Sequence, residues 1–368
     1  MRVLHIDNEK IWRGGERQVF LTVQEQRRQG VDGWIACRRG SPLEEVARNA
    51  DIPTIGLAST PQTAWPALIR AMRSFDVLHC HTGNTHSIAA LATMIRRKPI
   101  VLSRRVDNVP HDSWFNRWKY RRVDIVACVS RYIALQLEDW GLPAATMRVI
   151  YEAVPDEGYL PREICLRQLR ERTGVAPGTK LIGNIAALVG HKDHSTLLRA
   201  TREIIARRRD VAVIIIGHGE MKQQLLRLLG ELGLHGFVHF TGFIPQAQQL
   251  LAGFDVFTLS SRTEGLGTIV LDAGLAGVPV VATAAGGLPE TVLHERTGLL
   301  APVGDAGALA AALLRVLDEP ALARRLAGAA QQRVRTEFTV AGMVRRYIEI
   351  YSALLAGHSL PLEGGGIS

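Results

Sequence analysis

The stretch that decides the fold is residues 254–290, FDVFTLSSRTEGLGTIVLDAGLAGVPVVATAAGGLPE. Phe254 to Ser260 is apolar and rich in β-formers, which is typical of a buried parallel strand. Gly265 and Gly267 then allow a sharp turn and a close approach of the backbone to a ligand. Thr268 to Ala276 follows as a helix. A helix N-terminus behind a glycine turn, at the carboxyl end of a parallel strand, is suited to binding an anion.

Two carboxylates belong to this stretch, Glu264 before the helix and Asp272 inside it. The neighbours of Asp272 in the helix are apolar on every side. A carboxylate in such a helix is costly to bury unless hydrogen bonds or ligand hydroxyls satisfy it. Asp272 therefore either binds a ligand or accepts a hydrogen bond from a nearby backbone amide.

The bulk composition predicts a two-domain protein without a membrane span. The 368 residues exceed one ordinary α/β domain, and a hydrophobic content of 47% supplies two cores. No apolar run reaches the roughly 18 residues of a transmembrane helix, and the N-terminus enters a strand pattern without a signal-peptide core. The four scattered cysteines form no metal or disulfide pattern, so we expect them in the core of a cytoplasmic protein: Cys37, Cys80, Cys128 and Cys165.

The net charge of +9 is concentrated in the first half of the chain. Residues 1–150 hold 22 Lys and Arg against 14 Asp and Glu, whereas residues 151–368 hold 22 against 21. This excess predicts an anionic membrane face or an anionic acceptor, with a merely solvated surface as the alternative. Nucleic acid is not expected, because no binding motif accompanies the charge.

Both halves alternate strands with helices, which predicts parallel sheets covered on both faces. Strands of the first half are predicted at Val3–Asp7, Trp34–Arg38, Thr54–Leu57, Val77–Cys80, Ile100–Arg104, Ile125–Val129 and Arg148–Ile150. Strands of the second half are predicted at Leu181–Ala186, Val211–Ile216, Val238–Phe240, Phe254–Ser260 and Val278–Thr283. Tyr151 to Pro161 resembles a linker. The sequence thus predicts an α/β protein of two doubly wound Rossmann-like domains facing a central cleft, with ligands at the carboxyl ends of the strands.

Three places in the first half could carry chemistry. Gly14 and Gly15 open a helix and suit close approach to a phosphate or an acceptor, although a tight turn without a ligand would look the same. His81 ends a strand and could face a ligand, and metal binding with His79 is not expected because no third ligand is spaced nearby. Arg104 and Arg105 end another strand, where they suit an anion or contribute to the basic surface.

Two places in the second half could do the same. Lys192 lies in a glycine-containing loop between a strand and a helix, from which it can reach a diphosphate or simply remain solvated. Gly217 and Gly219 form a tight turn after an apolar strand. This turn is similar to the opening of a dinucleotide fingerprint, but Lys222 stands where that fingerprint needs glycine.

Together these motifs resemble the family 4 glycosyltransferases of GT-B fold over nearly the whole chain. The strongest match is the S-x-x-E-G-x-G pattern of residues 261–267, followed by G-x-P-V-V-A-T, G-G-x-x-E and the HERTGLL of 294–300. Gly14-Gly15, His81, Lys192 and the Gly217 turn occur in the family's usual places and order. The resemblance implies transfer of a sugar from a nucleotide-sugar donor, with retained anomeric configuration and no metal or other cofactor.

The resemblance also implies roles for individual residues. Glu264 would contact donor-sugar hydroxyls beside the amides of Gly265, Leu266 and Gly267. Asp272 would bind the ribose hydroxyls, and Lys192 would neutralise the diphosphate. The backbone at Gly14 and Gly15, and that at Gly217, would lie close to the donor, and His81 would border the reacting sugar. Gly286 and Gly287 would line the donor side.

Two positions depart from the family pattern. Asp272 stands where the family usually has Glu, one methylene longer. Ala187 stands where the family often has an Arg five residues before the lysine, so one diphosphate cation is missing from its usual place. We expect Arg104, Arg105 or Arg262 to substitute for it.

The expected domains are an acceptor-side domain of residues 1–155, with a helix of about 340–356 packed back on it, and a donor-binding domain of 156–339. Residues 357–368 are expected to be disordered. The expected donor is a UDP-sugar, ahead of a GDP- or ADP-sugar. The acceptor would be a glycan or glycolipid of the lipopolysaccharide or exopolysaccharide type, at the inner face of the cell membrane. Alternatives are a nucleotide-sugar-binding protein with impaired catalysis or a GT-B sugar-nucleotide epimerase.

Overall fold

The computed structural model describes residues 1–58, 61–156 and 158–358, so most of the predicted tail, residues 359–368, lies outside the described residues. The chain divides into two compact units. Unit 1 comprises Met1–Ala153 and the segment that begins at Val340, and unit 2 comprises Val154–Thr339. Unit 1 is therefore assembled from two separate pieces of sequence.

Unit 1 contains a parallel sheet, which among the described residues has seven strands. Their bounds are β1 (Arg2–Asp7), β2 (Asp32–Arg38), β3 (Thr54–Leu57), β4 (Val77–Cys80), β5 (Ile100–Arg104), β6 (Ile125–Cys128) and β7 (Met147–Val149). They lie in the order β3-β2-β1-β4-β5-β6-β7, with every neighbouring pair parallel. The chain builds outward from β1 on one side and then on the other, so its direction of winding reverses between β1 and β4.

Helices connect these strands, as the alternating pattern predicted. Their bounds are α1 (Gly14–Arg28), α2 (Pro42–Asn49), α3 (Pro61–Met72), α4 (Gly83–Ala92), α5 (Trp114–Tyr120) and α6 (Arg131–Asp139). Four of them begin after a hydroxyl residue whose oxygen accepts a backbone N–H of the first turn: Ser41, Thr82, Ser113 and Ser130. These caps fix where each loop at the carboxyl edge of the sheet ends.

Unit 2 repeats the design with a second parallel sheet. Its strands are β8 (Lys180–Ile185), β9 (Val211–Ile216), β10 (Val238–Gly242), β11 (Val256–Leu259), β12 (Val280–Thr283) and β13 (Leu299–Ala301), in the order β10-β9-β8-β11-β12-β13. All neighbouring pairs are parallel, and the winding reverses between β8 and β11. Each of the six residues of β9 is buried, as expected for a strand covered on both faces.

The helices of unit 2 are α7 (Arg162–Thr173), α8 (His194–Arg207), α9 (Lys222–Glu231), α10 (Thr268–Leu275), α11 (Leu288–Thr291), α12 (Ala306–Asp318) and α13 (Pro320–Glu337). The sequence did not predict α11 or β13, because elements of three or four residues are too short to show a period. A 3₁₀ helix, Ala247–Gly253, lies between β10 and β11.

The last helix, α14 (Val340–Ala356), belongs to unit 1. Its apolar face packs with Val3, Val77 and Val101 of the sheet. Tyr347 and Tyr351 are almost completely buried in this core. Buried tyrosine hydroxyls need hydrogen-bond partners, and the partners of these two include His79 of β4 and Ser103 of β5.

A substitution at Gly183 of β8 tests how tightly the core of unit 2 is packed around Phe254. A Cβ at this position would lie 2.3 Å from Cδ2 of the buried Phe254 ring. Gly183→Ala should therefore displace the ring and lower the free energy of unfolding by about 1–3 kcal/mol, measured by urea denaturation.

The matched control is Gly328→Ala, inside α13, where the added Cβ would have no atom within 4 Å among the described residues apart from its chain neighbours and the backbone of its own helix. It should leave the free energy of unfolding unchanged or raise it by up to about 1 kcal/mol, because alanine favours a helix over glycine. Equal stability of the two variants would show that the Phe254 contact is unimportant.

Candidate active site

The loops that follow β8 and β11 lie side by side, because the winding of unit 2 reverses between these two strands. Ligands of open α/β sheets bind at such reversals, beyond the carboxyl ends of the strands. The loop after β8 carries Lys192 and the loop after β11 carries Glu264. The two loops touch directly, since the backbone N–H of Arg262 donates to the carbonyl of His191 at 2.7 Å.

The backbone of Lys192 is held in place from two sides. Lys192 ends a 3₁₀ turn, and the next residue, Asp193, has a left-handed φ of +44°. The Asp193 carboxylate caps α8 by accepting from the N–H and hydroxyl of Thr196, at 3.3 and 2.7 Å. The hydroxyl of Ser260 donates to the carbonyl of Lys192 at 3.1 Å. The backbone from which the Lys192 side chain projects is therefore held in a fixed position.

Lys192 and Glu264, both predicted as site residues, form an ion pair. The Lys192 Nζ lies 2.5 Å from Oε1 of Glu264, and the two side chains are 21% and 9% exposed. The hydroxyl of Ser261 donates to the same Oε1 at 2.8 Å. The sequence did not predict this pair or the role of Ser261, although Ser261 opens the S-x-x-E motif. The structure thus joins a cation and a carboxylate from two different loops.

A second glycine loop supports Glu264 from its backbone side. Gly287 donates its N–H to the carbonyl of Glu264 at 2.9 Å. Gly286 has a φ of +55°, and a Cβ there would lie 2.1 Å from the same carbonyl oxygen. Only glycine allows this approach. The family motif G-G-x-x-E therefore has a local structural reason, which is to hold the loop of Glu264.

Gly265, Leu266 and Gly267 connect Glu264 to α10. Leu266 is 2% exposed, so its side chain packs into unit 2. Gly267 immediately precedes the helix with a φ of +77°, and a Cβ there would lie 2.5 Å from a methyl group of Leu288. This turn needs glycine for its conformation and for its packing.

Gly217 lies in the turn after β9, where its lack of a side chain is explained by backbone packing. A Cβ at Gly217 would lie 1.9 Å from the carbonyl oxygen of Ala186. The N–H of Leu188 donates to the carbonyl of His218 at 2.9 Å. The glycine turn therefore supports the loop that leads to Lys192.

Asp272 is 1% exposed within α10. The hydroxyl of Tyr159 donates to its Oδ1 at 2.9 Å. The sequence predicted either a ligand or a backbone amide as the partner of this carboxylate. The structure adds a side-chain hydroxyl, that of Tyr159, as a partner. Tyr159 was missed because it lies in the stretch predicted as a linker, which gives no signal for a contact with a residue more than 100 positions away.

The structure places Ala187 in the exposed part of the loop before Lys192. Of the three arginines expected to substitute for the missing cation, Arg262 belongs to the same pair of loops. Its Nε lies 3.0 Å from Oδ2 of Asp193, and its side chain is 63% exposed. Arg104 and Arg105 belong to unit 1, where Arg104 donates to Asn108.

Unit 1 has a corresponding set of groups at its own reversal, around β1 and β4. Gly14 and Gly15 begin α1, directly after the loop that follows β1. NH1 of Arg105 donates to Nδ1 of His81 at 2.8 Å. A Cβ on Gly15 would lie 3.9 Å from Cδ of Arg105. The structure therefore brings three separately predicted positions, Gly15, His81 and Arg105, to one place.

Arg105 is held by a buried carboxylate. Its Nε lies 2.5 Å from Oε1 of Glu152, and the two side chains are 13% and 10% exposed. Sequence reasoning missed Glu152 because it falls in the predicted linker. Burial favours the neutral guanidine, but the nearby charge of Glu152 outweighs it and raises the pKa of Arg105, so the guanidinium stays charged.

The expectation that no third ligand accompanies His79 and His81 was wrong. His5 of β1 completes a buried cluster in which one ligand atom from each ring lies within 4.8 Å of the others. Sequence spacing could not show this, because β1 and β4 are neighbours only in the folded sheet. Each ring nitrogen of the three histidines nevertheless has a hydrogen-bond partner within the protein.

Two doubly wound parallel sheets with charged loops at their reversals define an α/β protein of the GT-B class. Two family models match successive parts of the chain: Glycosyltransferase Family 4 over residues 12–157 and Glycosyl transferases group 1 over residues 167–333. The chain belongs to the family 4 glycosyltransferases, and the protein is a glycosyltransferase.

Named relatives agree with this membership. N-acetyl-alpha-D-glucosaminyl L-malate synthase of Bacillus anthracis is 26% identical over 298 residues, which cover 78% of this chain and 77% of the relative. The lipopolysaccharide core biosynthesis glycosyltransferase LpsD of Rhizobium meliloti is 31% identical over 171 residues, which cover 46% of this chain and 49% of the relative.

A solved structure shows the same fold. HepE of Anabaena in complex with UDP-glucose superposes with a TM-score of 0.86, covering 96% of this chain and 100% of HepE at 22% sequence identity. Within the part of the chain that the structure describes, we find no helix with the length and apolar character needed to cross a membrane.

Glu16 lies in the first turn of α1, beside Gly15, and its titration makes the free energy of unfolding depend on pH. It accepts a hydrogen bond from the N–H of Arg13 at 2.6 Å. Burial, followed by the negative charge of Asp7, raises the pKa of Glu16 from 4.5 to about 7. Between these two pH values the folded protein binds a proton that the unfolded chain has released. The free energy of unfolding contributed by this group therefore falls as the pH rises through this window.

Glu16→Gln removes this titration. Between about pH 5 and pH 8, the free energy of unfolding of the wild type should fall further than that of the variant, by on the order of 2–3 kcal/mol. Urea denaturation at both pH values measures this difference. Glu25→Gln, on the same helix, is the control and should keep the wild-type slope. Identical slopes for Glu16→Gln and the wild type would contradict the raised pKa.

Proposed function

We propose that the protein transfers a sugar from a nucleotide-diphosphate sugar to a hydroxyl group of a cell-surface glycan or glycolipid precursor, with retention and without a metal. The Lys192–Glu264 pair at the reversal of unit 2 is the observation that carries this proposal. It joins a cation suited to a leaving diphosphate and a carboxylate suited to sugar hydroxyls, and two glycine loops support the loops that carry them.

The chemistry of the leaving group supports a role for Lys192. Breaking the bond between the sugar and a nucleoside diphosphate develops negative charge on the phosphate oxygen. A preorganised cation stabilises this charge where it develops. Glu264 contacts the ammonium directly, so the protein's own side chains fix its position. In the complex, Lys192 would bind the diphosphate while Glu264 would accept hydrogen bonds from sugar hydroxyls.

The diphosphate needs more positive charge than one lysine provides. Arg262 is suited to supply it in place of the arginine missing at position 187, because its exposed guanidinium lies in the loop that touches the loop of Lys192. A guanidinium can bind phosphate through two parallel hydrogen bonds. The backbone amides of Gly265, Leu266 and Gly267 would add neutral donors before α10.

The nucleoside would be held by Asp272, supported by Tyr159. We favour UDP as the nucleotide, because the HepE structure of the same fold contains UDP-glucose. The hydroxyl of Tyr159 donates to this buried carboxylate and so helps to orient it. A ribose diol would donate hydrogen bonds to the carboxylate of Asp272.

The acceptor is proposed to be a lipid-linked or otherwise anionic glycan at the inner face of the cell membrane. The relative LpsD acts in lipopolysaccharide core biosynthesis, and the basic excess of residues 1–150 favours an anionic partner. Helix α5 presents Trp114, 79% exposed, and Phe115, 38% exposed, in a segment that also holds Lys119 and Arg121. Exposed aromatic side chains next to cations are typical of membrane interfaces.

A nucleotide-sugar-binding protein with impaired catalysis is the second candidate. It is favoured by Ala187, which removes one cation, and by the pairing of Lys192 with Glu264, which neutralises another. Binding of a nucleotide sugar without transfer or hydrolysis would identify this function. Epimerisation of the donor without an acceptor would instead identify the GT-B sugar-nucleotide epimerase.

The first test is turnover of the purified protein with UDP-, GDP- and ADP-sugars and with both soluble and lipid-linked acceptors. Lys192→Met and Glu264→Gln should each lower kcat/KM by roughly 10²–10³-fold with the best donor, because each removes a group that acts on developing charge or on the sugar. Arg262→Ala should raise the KM for the donor by roughly tenfold. Exposed Arg199→Ala in α8 serves as the control. Wild-type activity in Lys192→Met would place the site elsewhere.

The role of Asp272 is tested separately. Asp272→Asn should raise the KM for the donor by roughly 10–100-fold with kcat reduced less, because an amide is a weaker acceptor for a diol than a carboxylate is. Tyr159→Phe should raise the KM for the donor by a smaller factor. Asp272→Glu restores the residue that the family usually has and is the conservative control. An unchanged KM in Asp272→Asn, with the fold intact by circular dichroism, would leave Asp272 with a structural role only.

A further inference from the structure

Unit 1 contains a continuous chain of buried hydrogen-bonding side chains, which we call the imidazole chain. It joins the carboxyl ends of the central strands to the last helix. Every member except Arg105 is at most 6% exposed. In order along the hydrogen bonds, its members are Arg105, His81, His5, Gln26, Tyr351, His79, Ser103 and Tyr347.

The direction of these hydrogen bonds is fixed at Arg105. A guanidinium only donates, so Nδ1 of His81, 2.8 Å from NH1, must accept. The proton of the neutral His81 ring then resides on Nε2, which donates to Nδ1 of His5 at 2.9 Å. His5 in turn carries its proton on Nε2 and donates to Oε1 of Gln26 at 2.8 Å. Two histidines thus have one allowed tautomer each.

The second half of the imidazole chain follows the same direction. Nε2 of Gln26 donates to the hydroxyl of Tyr351 at 3.2 Å, and that hydroxyl donates to Nδ1 of His79 at 2.6 Å. His79 therefore carries its proton on Nε2 and donates to Ser103 at 2.8 Å. The hydroxyl of Ser103 lies 3.0 Å from that of Tyr347. With the opposite tautomer of His79, the buried hydroxyl proton of Tyr351 would have no acceptor among the described residues, so the arrangement above is the one that satisfies every buried polar group.

This arrangement also decides between a metal site and a hydrogen-bonded network. A metal would need a lone pair on each of His5, His79 and His81. The accepting nitrogens already receive protons, and the other nitrogens carry them. Burial lowers the pKa of His5 to about 3 and that of His79 and His81 well below the usual value, so all three rings are neutral near pH 7.

We infer that His81 is a positioning residue that orients Arg105, and that Arg105 is the group in unit 1 that contacts an anionic oxygen of the donor or the acceptor. His81 has no ring nitrogen left for a sugar, because His5 and Arg105 occupy both. Arg105 fixes the His81 tautomer, and Tyr351 of α14 continues the network from Gln26 to His79. The identity of the ligand in this inference rests on the proposed function. The assignment of the histidine tautomers is independent of that function.

Arg105 is well placed for this role. Glu152 holds its Nε and His81 holds its NH1, so the guanidinium plane is fixed before any ligand binds. It follows β5 at the carboxyl edge of the sheet and lies beside Gly15, where an added Cβ would be 3.9 Å from its Cδ. A fixed guanidinium is suited to a phosphate or a carboxylate because of its parallel N–H donors. Either the donor diphosphate or an acidic acceptor could supply that group.

Steady-state kinetics of two matched variants test the positioning role. His81→Asn places an amide oxygen where Nδ1 accepts from Arg105, whereas His81→Gln places its amide near Nε2 and loses that acceptor. We expect His81→Gln to raise KM for one substrate by roughly tenfold, with kcat within about threefold, and His81→Asn to stay within about threefold of the wild type. Equal effects of the two variants, or a selective loss of kcat, would overturn the positioning role.

Arg105→Lys and Arg105→Gln identify the source of the anion. Arg105→Lys retains a positive charge beside the buried Glu152 carboxylate, so this variant is expected to fold. A raised KM for the donor in both variants assigns Arg105 to the diphosphate, and a raised KM for the acceptor assigns it to an acidic acceptor. An unchanged KM for both substrates in folded Arg105→Lys and Arg105→Gln would overturn the contact.

Nitrogen-15 NMR of the histidine rings tests the imidazole chain independently of activity. At pH 7 the resonances of His5, His79 and His81 should all show the neutral tautomer protonated on Nε2. Tyr351→Phe should shift the Nδ1 resonance of His79, while Tyr120→Phe, a buried tyrosine outside the chain, should leave the three rings unchanged. An imidazolium, an Nδ1-protonated ring, or coordination of added Zn²⁺ by any of the three would overturn the inference. Wild-type inactivity with every donor, together with the expected tautomers, would contradict the proposed function alone.

Discussion

Parallel pairing throughout both sheets is the constraint on which the rest of the structure depends. When all strands point the same way, their carboxyl ends share one edge, and a reversal of winding leaves two neighbouring loops open to a ligand. In unit 2 the reversal joins the loops of Lys192 and Glu264, and in unit 1 it joins β1 to β4. The same topological step therefore produces the ion pair in one unit and the histidine cluster in the other.

Local sequence was sufficient for most of the elements and for the motifs that follow them. β11, which lies inside the predicted strand of residues 254–260, and the glycine turn after it follow from composition and backbone freedom alone. Helix starts after Thr82 or Ser130 follow from side-chain capping. The motif around Glu264 also has a local reason for its glycines, since Gly286 must approach the Glu264 carbonyl without a Cβ. These features depend on residues close in sequence or within one recurring motif.

Partners distant in sequence could not be predicted in the same way. Gln26 and Tyr351 are separated by 325 positions, and Tyr159 and Asp272 by 113. Whether a buried polar side chain binds a ligand or an internal partner depends on such contacts, which leave no pattern in either segment. His81 is an example, because its place at a strand end suggested a ligand-facing group, and the family resemblance implied that it borders the reacting sugar. Its neighbours His5 and Arg105 occupy both ring nitrogens instead.

The return of α14 to unit 1 has a consequence for how the protein is made. Residues 154–339 of unit 2 are contiguous, so their core can form as soon as they leave the ribosome. The first 153 residues emerge earlier, but the apolar face of their sheet is uncovered and Gln26 and His79 lack the hydroxyl of Tyr351 until the final helix has been synthesised. The part of the protein that is translated first is thus the last to be completed, and it must remain incompletely packed while all of unit 2 is translated.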